Sequence, residues 1–179
     1  MQAPRGIRLT RLGVGEWILG FGSVLLLADL FGLSWFRARA GLHATALITG
    51  GYVRADGWQS LGATGPLALI VCLAGIAVWW LAATRRSPAM PVAITILLTP
   101  VALILAALTA IRVFLAQPTV RLLRAGGASG AVQLRPGAYL GVALSLAVFA
   151  GAYLALRRDN VAPEDAPAEV ELVPLTARS

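Results

Sequence analysis

The 179 residues are 58% hydrophobic and only 13% charged, with a mean hydropathy of +0.78, values that belong to membrane proteins rather than to soluble domains. The formal charge of +7 rests on 15 Arg and no Lys, scattered between apolar runs, and that scatter argues against a nucleic-acid partner. The single cysteine, Cys72, lies inside an apolar run and excludes an intrachain disulfide, CxxC redox chemistry and thiolate metal clusters.

Residues 1–16 read as a short flank whose Arg5, Arg8 and Arg11 are topology charges, with anionic-lipid contact as the alternative. The apolar run behind them is too long for a cleaved signal peptide and has no A-x-A site after it. That run, WILGFGSVLLLADLFGLSW from Trp17 to Trp35, holds 19 residues and one ionisable side chain, Asp29. At 1.5 Å per residue it spans a hydrocarbon core of about 30 Å, and a Trp at each end suits the headgroup interfaces. A first membrane helix over 17–35 is expected.

Residues 36–65 are too polar to cross. Within them ATALIT, Gly50-Gly51 and YVRADGW alternate around a two-residue turn, which predicts a β-hairpin over Leu42–Trp58 on the membrane surface. Pro66 opens a second helix over 66–83, closed by Arg85-Arg86, with Trp79-Trp80 at the interface. The link SPAMP is so short that the third helix, over 91–113, must lie antiparallel beside it. Pro100 inside this helix removes a donor, frees the carbonyl near Ile96 and predicts a kink, with Thr95 and Thr99 near enough to satisfy that backbone. Thr99, Ala102, Ala106 and Thr109 recur at helical spacing as one small face.

Residues 114–136 form a second long loop, where TVRLLR and AVQLR flank the turn-forming AGGASG and predict a further hairpin or an added strand. The fourth helix, over 137–156, carries Gly137, Gly141 and Ser145 at four-residue intervals, a spacing that lets helix backbones approach closely. Packing inside the bundle is the first reading of that face, and a contact with a second copy the alternative. Residues 159–179 are acidic and Pro/Ala-rich, the composition of a disordered tail. Four crossings put both termini on one side. Seven Arg near helix ends on that side face six on the other, a narrow margin, but the seven crowd directly against the helix ends and favour cytoplasmic termini. The two strand-forming loops are then outside.

Among candidate sites, Asp29 comes first. An acid in a membrane run costs roughly 2.5–3.5 kcal/mol on insertion scales, so it needs a partner. Gly22 and Gly32 share its face, which turns it inward, and Arg112 at the end of the third helix can snorkel toward it. An Asp29–Arg112 pair is expected, acting as a packing clasp. Proton or ion coupling would need further acids or His along the path, and the helices offer only Glu16. His43 is the one histidine and sits in the first outer loop, where a solvated surface residue is the ordinary reading. Ser23, Ser34, Ser60 and Ser145 have no elbow motif and no nearby base, and no P-loop or GxGxxG precedes a helix. No metal site, cofactor or enzymatic activity is implied. Trp58, after Gly57, either pins the first loop to the bilayer or anchors a partner.

Several of these residues together resemble a loose group of uncharacterised four-pass membrane proteins common in actinobacteria. The matching positions are Asp29-Leu30-Phe31 with Trp35, Gly57-Trp58, Arg112 with Pro118, and GAYLG at Gly137–Gly141 with Gly151. This chain has Leu33-Ser34-Trp35 where the group more often has Leu-Pro-Trp, and Pro118 alone where a Pro-Pro pair is common. The resemblance covers most of residues 15–158 and implies topology, with no activity attached. The architecture is also similar to that of claudin-like proteins, without their Trp, GLW and cysteine signature, so a junction-like role is analogy of fold alone.

The fold class expected is therefore an all-α membrane protein, an antiparallel four-helix transmembrane bundle with a small extracytoplasmic β-hairpin or sheet as cap. The function expected is that of a non-enzymatic accessory or scaffold subunit in the bacterial cell membrane. Its partners would be the lipid bilayer and another membrane protein or a second copy. A small transporter or channel with a polar path at Asp29 is the first alternative, and an envelope-side binding module built on the first outer loop and Trp58 the second.

Overall fold

The computed structural model describes residues 12–39, 46–48, 54–84, 89–118, 120–122 and 131–159. The Gly50-Gly51 turn, His43, Arg5, Arg8, Arg11, Arg85-Arg86 and residues 160–179 lie outside the described residues. Four helices long and apolar enough to cross a membrane dominate it. These are α1 (Val14–Gly32), α3 (Gly65–Thr84), α4 (Ala89–Phe114) and α5 (Pro136–Asp159), with a short α2 (Gly57–Leu61) and a 3-10 turn (Gly62–Thr64) leading into α3. Proline marks two of the starts. Pro136 opens α5 and Pro66 stands second in α3, where a missing backbone N–H leaves no helical bond unmade.

The helices form a closed ring in which α1 packs on α3, α3 on α4, α4 on α5, and α5 back on α1. The α1–α5 seam is the closest. A Cβ placed on Gly15 would run into the backbone of Ala155, and one on Gly151 into the backbone of Leu19, so glycine sets how near these two helices come. Gly22 lies on the same seam, with Val148 Cγ2 3.3 Å from where its Cβ would stand. The interior is filled by Leu19, Leu26, Leu30, Val71, Val78, Leu105, Val113 and Val148. The small face of α4 points inward, with Ala102, Ala106 and Thr109 buried. Outward, the helices present Phe21, Leu25, Ile70, Leu97 and Leu146, large apolar side chains that stay exposed.

Among the described residues five strands gather at one end of the ring: β1 (Ser34–Arg39), β2 (Ala46–Ile48), β3 (Arg54–Asp56), β4 (Val120–Leu122) and β5 (Ala131–Leu134). They form an antiparallel three-stranded sheet in the order β3-β1-β5 and a separate β2-β4 pair. Among the described residues the hairpin expected over Leu42–Trp58 is replaced by other pairings, β2 with β4 and β3 with β1. The second loop contributes an added strand to each sheet, and its described residues pair with the first loop and not with each other. The reason lies in β1. It leaves α1 already extended, with Phe36 and Ala38 alternating into the core, and as the central strand it can satisfy its backbone groups on both sides. Trp35 accordingly belongs to this strand and not to the end of the first helix, which stops at Gly32.

The helix α4 runs unbroken through Pro100. Thr99 Oγ1 donates to the carbonyl of Thr95 at 2.7 Å, so the hydroxyl serves the turn before the proline and not the Ile96 carbonyl that proline frees.

Candidate functional site at the cap end of the bundle

The last turn of α1 and the first residues of β1 build the site. Leu33 N–H donates to the Asp29 carbonyl at 3.2 Å, closing α1, and Leu33 is already extended. The β1–β3 register then slips between Ser34, opposite Asp56, and Phe36, opposite Ala55. This bulge makes Trp35 the extra residue and turns its side chain into the bundle, so that Trp35 and its neighbour Phe36 are both fully buried.

Trp35 Nε1 donates to Asp29 Oδ2 at 3.1 Å, a buried bond six residues apart in the chain. The indole lies in a slot lined by three glycines from two other helices. A Cβ on Gly57 of α2 would come within 2.7 Å of Trp35 Cε2, and one on Gly137 of α5 within 3.1 Å of Cδ1. At Gly141, one turn further along α5, it would collide with the far edge of the ring and stand 2.9 Å from Asp29 Oδ2. Gly141 therefore admits the tryptophan ring, and Gly137 admits the α1–β1 junction, with the Ser34 carbonyl 2.9 Å and Leu33 Cβ 3.0 Å from where its Cβ would stand. Ser145, a turn deeper, is buried and donates to the Val142 carbonyl of its own helix at 2.8 Å. Arg135 N–H donates to the Trp35 carbonyl at 2.9 Å and ties the start of α5 to the same residue.

Arg112 is not the partner of Asp29. Its Nε donates to the Ser60 carbonyl and its Nη1 to the Ala116 carbonyl, both at 2.8 Å. The expected ion pair is replaced by two separate arrangements, because the bulge delivers an indole N–H to the carboxylate and the open end of α2 delivers a carbonyl to the guanidinium. Ser60 in turn donates through Oγ to the Asp56 carbonyl, and Asp56 Oδ1 caps α2 by accepting from Gln59 N–H at 2.8 Å. One chain of bonds thus links α4, α2 and β3.

Trp58 stands at the rim, about one third exposed and stacked on Phe31 with ring centroids 5.4 Å apart. Gly65 lies beneath the Trp58 ring, 3.3 Å from Cε3 to where its Cβ would be. Gly32 meets nothing within 4 Å and is exposed, so it takes no part in helix packing. Asp29 Oδ1, opposite the indole bond, is buried with no hydrogen-bond partner among the described residues. Among the described residues no three His, Cys, Asp or Glu side chains come together as a metal site.

The site defines the chain as a four-helix bundle whose cap is clasped onto its end by a tryptophan in a glycine slot. Comparison with known proteins finds no matching family, no similar curated protein and no similar solved structure. What the sequence reading missed is that Trp35 and Asp29 serve each other. The available signal was an acid in the last turn of a helix, followed by a tryptophan just past its end.

Proposed function

We propose that this chain is a multi-pass protein of the bacterial cell membrane, without enzymatic activity, that serves as an accessory or scaffold subunit for another membrane component. Four helices of membrane-spanning length and the large apolar side chains on their outer surface support the membrane part of this reading. The observation that carries the scaffold part is that the small-residue faces are already occupied. Gly22 is filled by Val148, Gly137 by Leu33, Ser34 and Trp35 of the α1–β1 junction, and Gly141 by Trp35, which leaves the cap and the Phe31–Trp58 pair to meet a partner. Both termini are assigned to the cytoplasm and the cap to the outside.

The test is native mass spectrometry of the full chain after mild-detergent extraction. A complex heavier than the 18.7 kDa monomer that is lost in Trp58→Ala, with the bundle still folded, supports the proposal. A lone monomer in native extracts overturns it. A second reading, a small transporter or channel with a polar path at Asp29, draws on the buried Asp29 Oδ1 that has no partner among the described residues. Loss of an ion- or proton-dependent flux in folded Asp29→Asn would favour that reading over the scaffold.

A further inference from the structure

The three-stranded sheet has two unlike faces. Phe36, Ala38 and Ala55 are buried against the bundle, so the residues that alternate with them face away from it. On that outward face Arg37 of β1 stands directly opposite Arg54 of β3 and, on its other side, Gln133 of β5. Arg54 and Gln133 are exposed and Arg37 half-buried. Arg39 continues β1 opposite Ala131, and Arg135 follows Gln133 by two residues, its Nε buried without a partner among the described residues. The segments 33–65 and 114–136 hold six arginines and a single acid, Asp56, whose Oδ1 is occupied in capping α2. Strand pairing thus sets Arg37 and Arg54, apart in sequence, directly side by side.

Like charges directly opposite in a sheet repel, so the bare face is strained by its own charge and relieved by an anion. Opposed strand residues stand about 5 Å apart, close enough for two guanidinium forks to share one tetrahedral anion. A phosphate has oxygens for both forks, whereas the two oxygens of a carboxylate fill only one. Because the face points away from the helices, it addresses the aqueous phase and not the acyl chains. Among the described residues no aromatic side chain shares this face, which favours a chain of phosphates over one that carries bases to stack. We propose that the row Arg54–Arg37–Gln133, with Arg135 beside it, binds a linear phosphate-bearing polyanion without bases in the water beyond the membrane. This rests on the reading of the chain as a membrane protein with its cap in water.

The experiment titrates inorganic polyphosphate of defined length onto the full chain in nanodiscs of zwitterionic lipid. Saturable binding that weakens with salt is expected. Arg37→Gln and Arg54→Gln should each weaken it by about ten-fold, since each removes a charge-assisted fork, while Arg157→Gln at the far end of α5 changes nothing. Polyglutamate and a single-stranded oligonucleotide of equal charge should bind about ten-fold more weakly. Unfolding midpoints of both Arg variants should be no lower than that of the parent, because each relieves the like-charge pair. Should Arg37→Gln not fold, exposed Arg54 alone decides. Unchanged polyphosphate binding in Arg54→Gln overturns the proposal, as does equal binding of polyglutamate or of the oligonucleotide. Glycerophosphoglycerol matching polyphosphate at equal phosphate concentration overturns it in favour of a lipid headgroup. Alkaline carbonate extraction of the cell membranes from which the chain is purified separates the two readings: a chain that washes off overturns the membrane reading, whatever polyphosphate does.

Discussion

Trp35 donates its indole N–H to Asp29 across the junction between α1 and β1, and that bond stands where an ion pair with Arg112 was expected. It is local in sequence yet joins two kinds of structure, since the acid belongs to a helix and the donor to a strand. The bond holds the cap to the bundle from inside.

Removing the donor by Trp35→Phe leaves the second oxygen of a buried carboxylate without a partner. A loss of about 1–3 kcal/mol is expected, the range for stranding a buried polar group. Asp29→Leu in the same background should cost much less than in the parent, because the acid no longer has a bond to lose. Equilibrium unfolding in mixed micelles of the two single variants and the double variant measures this coupling.

The same cycle on Asp29 and Arg112 should show none. The two residues share no hydrogen-bond partner, so Asp29→Asn and Arg112→Gln should add to within about 0.5 kcal/mol. A coupling well beyond that would restore the ion pair.

Gly141 and Gly32 should respond in opposite ways to alanine. At Gly141 the new methyl meets the edge of the Trp35 ring, and Gly57 and Gly137 prevent the ring from yielding, so a loss of about 1–3 kcal/mol follows. At Gly32 nothing stands within 4 Å, and the change should be neutral or stabilising by up to about 0.5–1 kcal/mol through helix propensity. Thermal unfolding of the two variants side by side checks the contrast.

Arg112→Lys tests whether the guanidinium acts as a charge or as a fork. Nε and Nη1 reach carbonyls in two different segments, which a single ammonium on a flexible stem does not reproduce with the same geometry. A loss of roughly 1–2 kcal/mol is expected, at the lower end for a charged bond because the Ala116 contact is exposed. Stability equal to the parent in Arg112→Lys would reduce its role to charge alone.

Alanine at Asp56 should loosen the link between β3 and α2. Loss of the cap to Gln59 N–H costs about 1 kcal/mol, and hydrogen exchange should quicken in residues 57–61 before the membrane-length helices respond.

The four long helices were legible in the sequence because length and unbroken hydropathy decide them without reference to any neighbour, and their observed bounds lie within a few residues of expectation. The small face of α4 was legible for a similar reason, since helical periodicity alone aligns Ala102, Ala106 and Thr109. Strand pairing was not. Alternation around Gly50-Gly51 reported that strands were present, but which strand lies beside which depends on residues as distant in the chain as Phe36 and Leu134, and β1 took both β3 and β5. The partner of Asp29 depended on a finer event, one extra residue in β1 that turned Trp35 inward. The sequence by itself determined that an acid would be buried under a cap and that small residues would surround it. Only the tertiary structure decided that an indole, not a guanidinium, would meet it, because a bulge sets the direction of a side chain and no periodicity records a bulge.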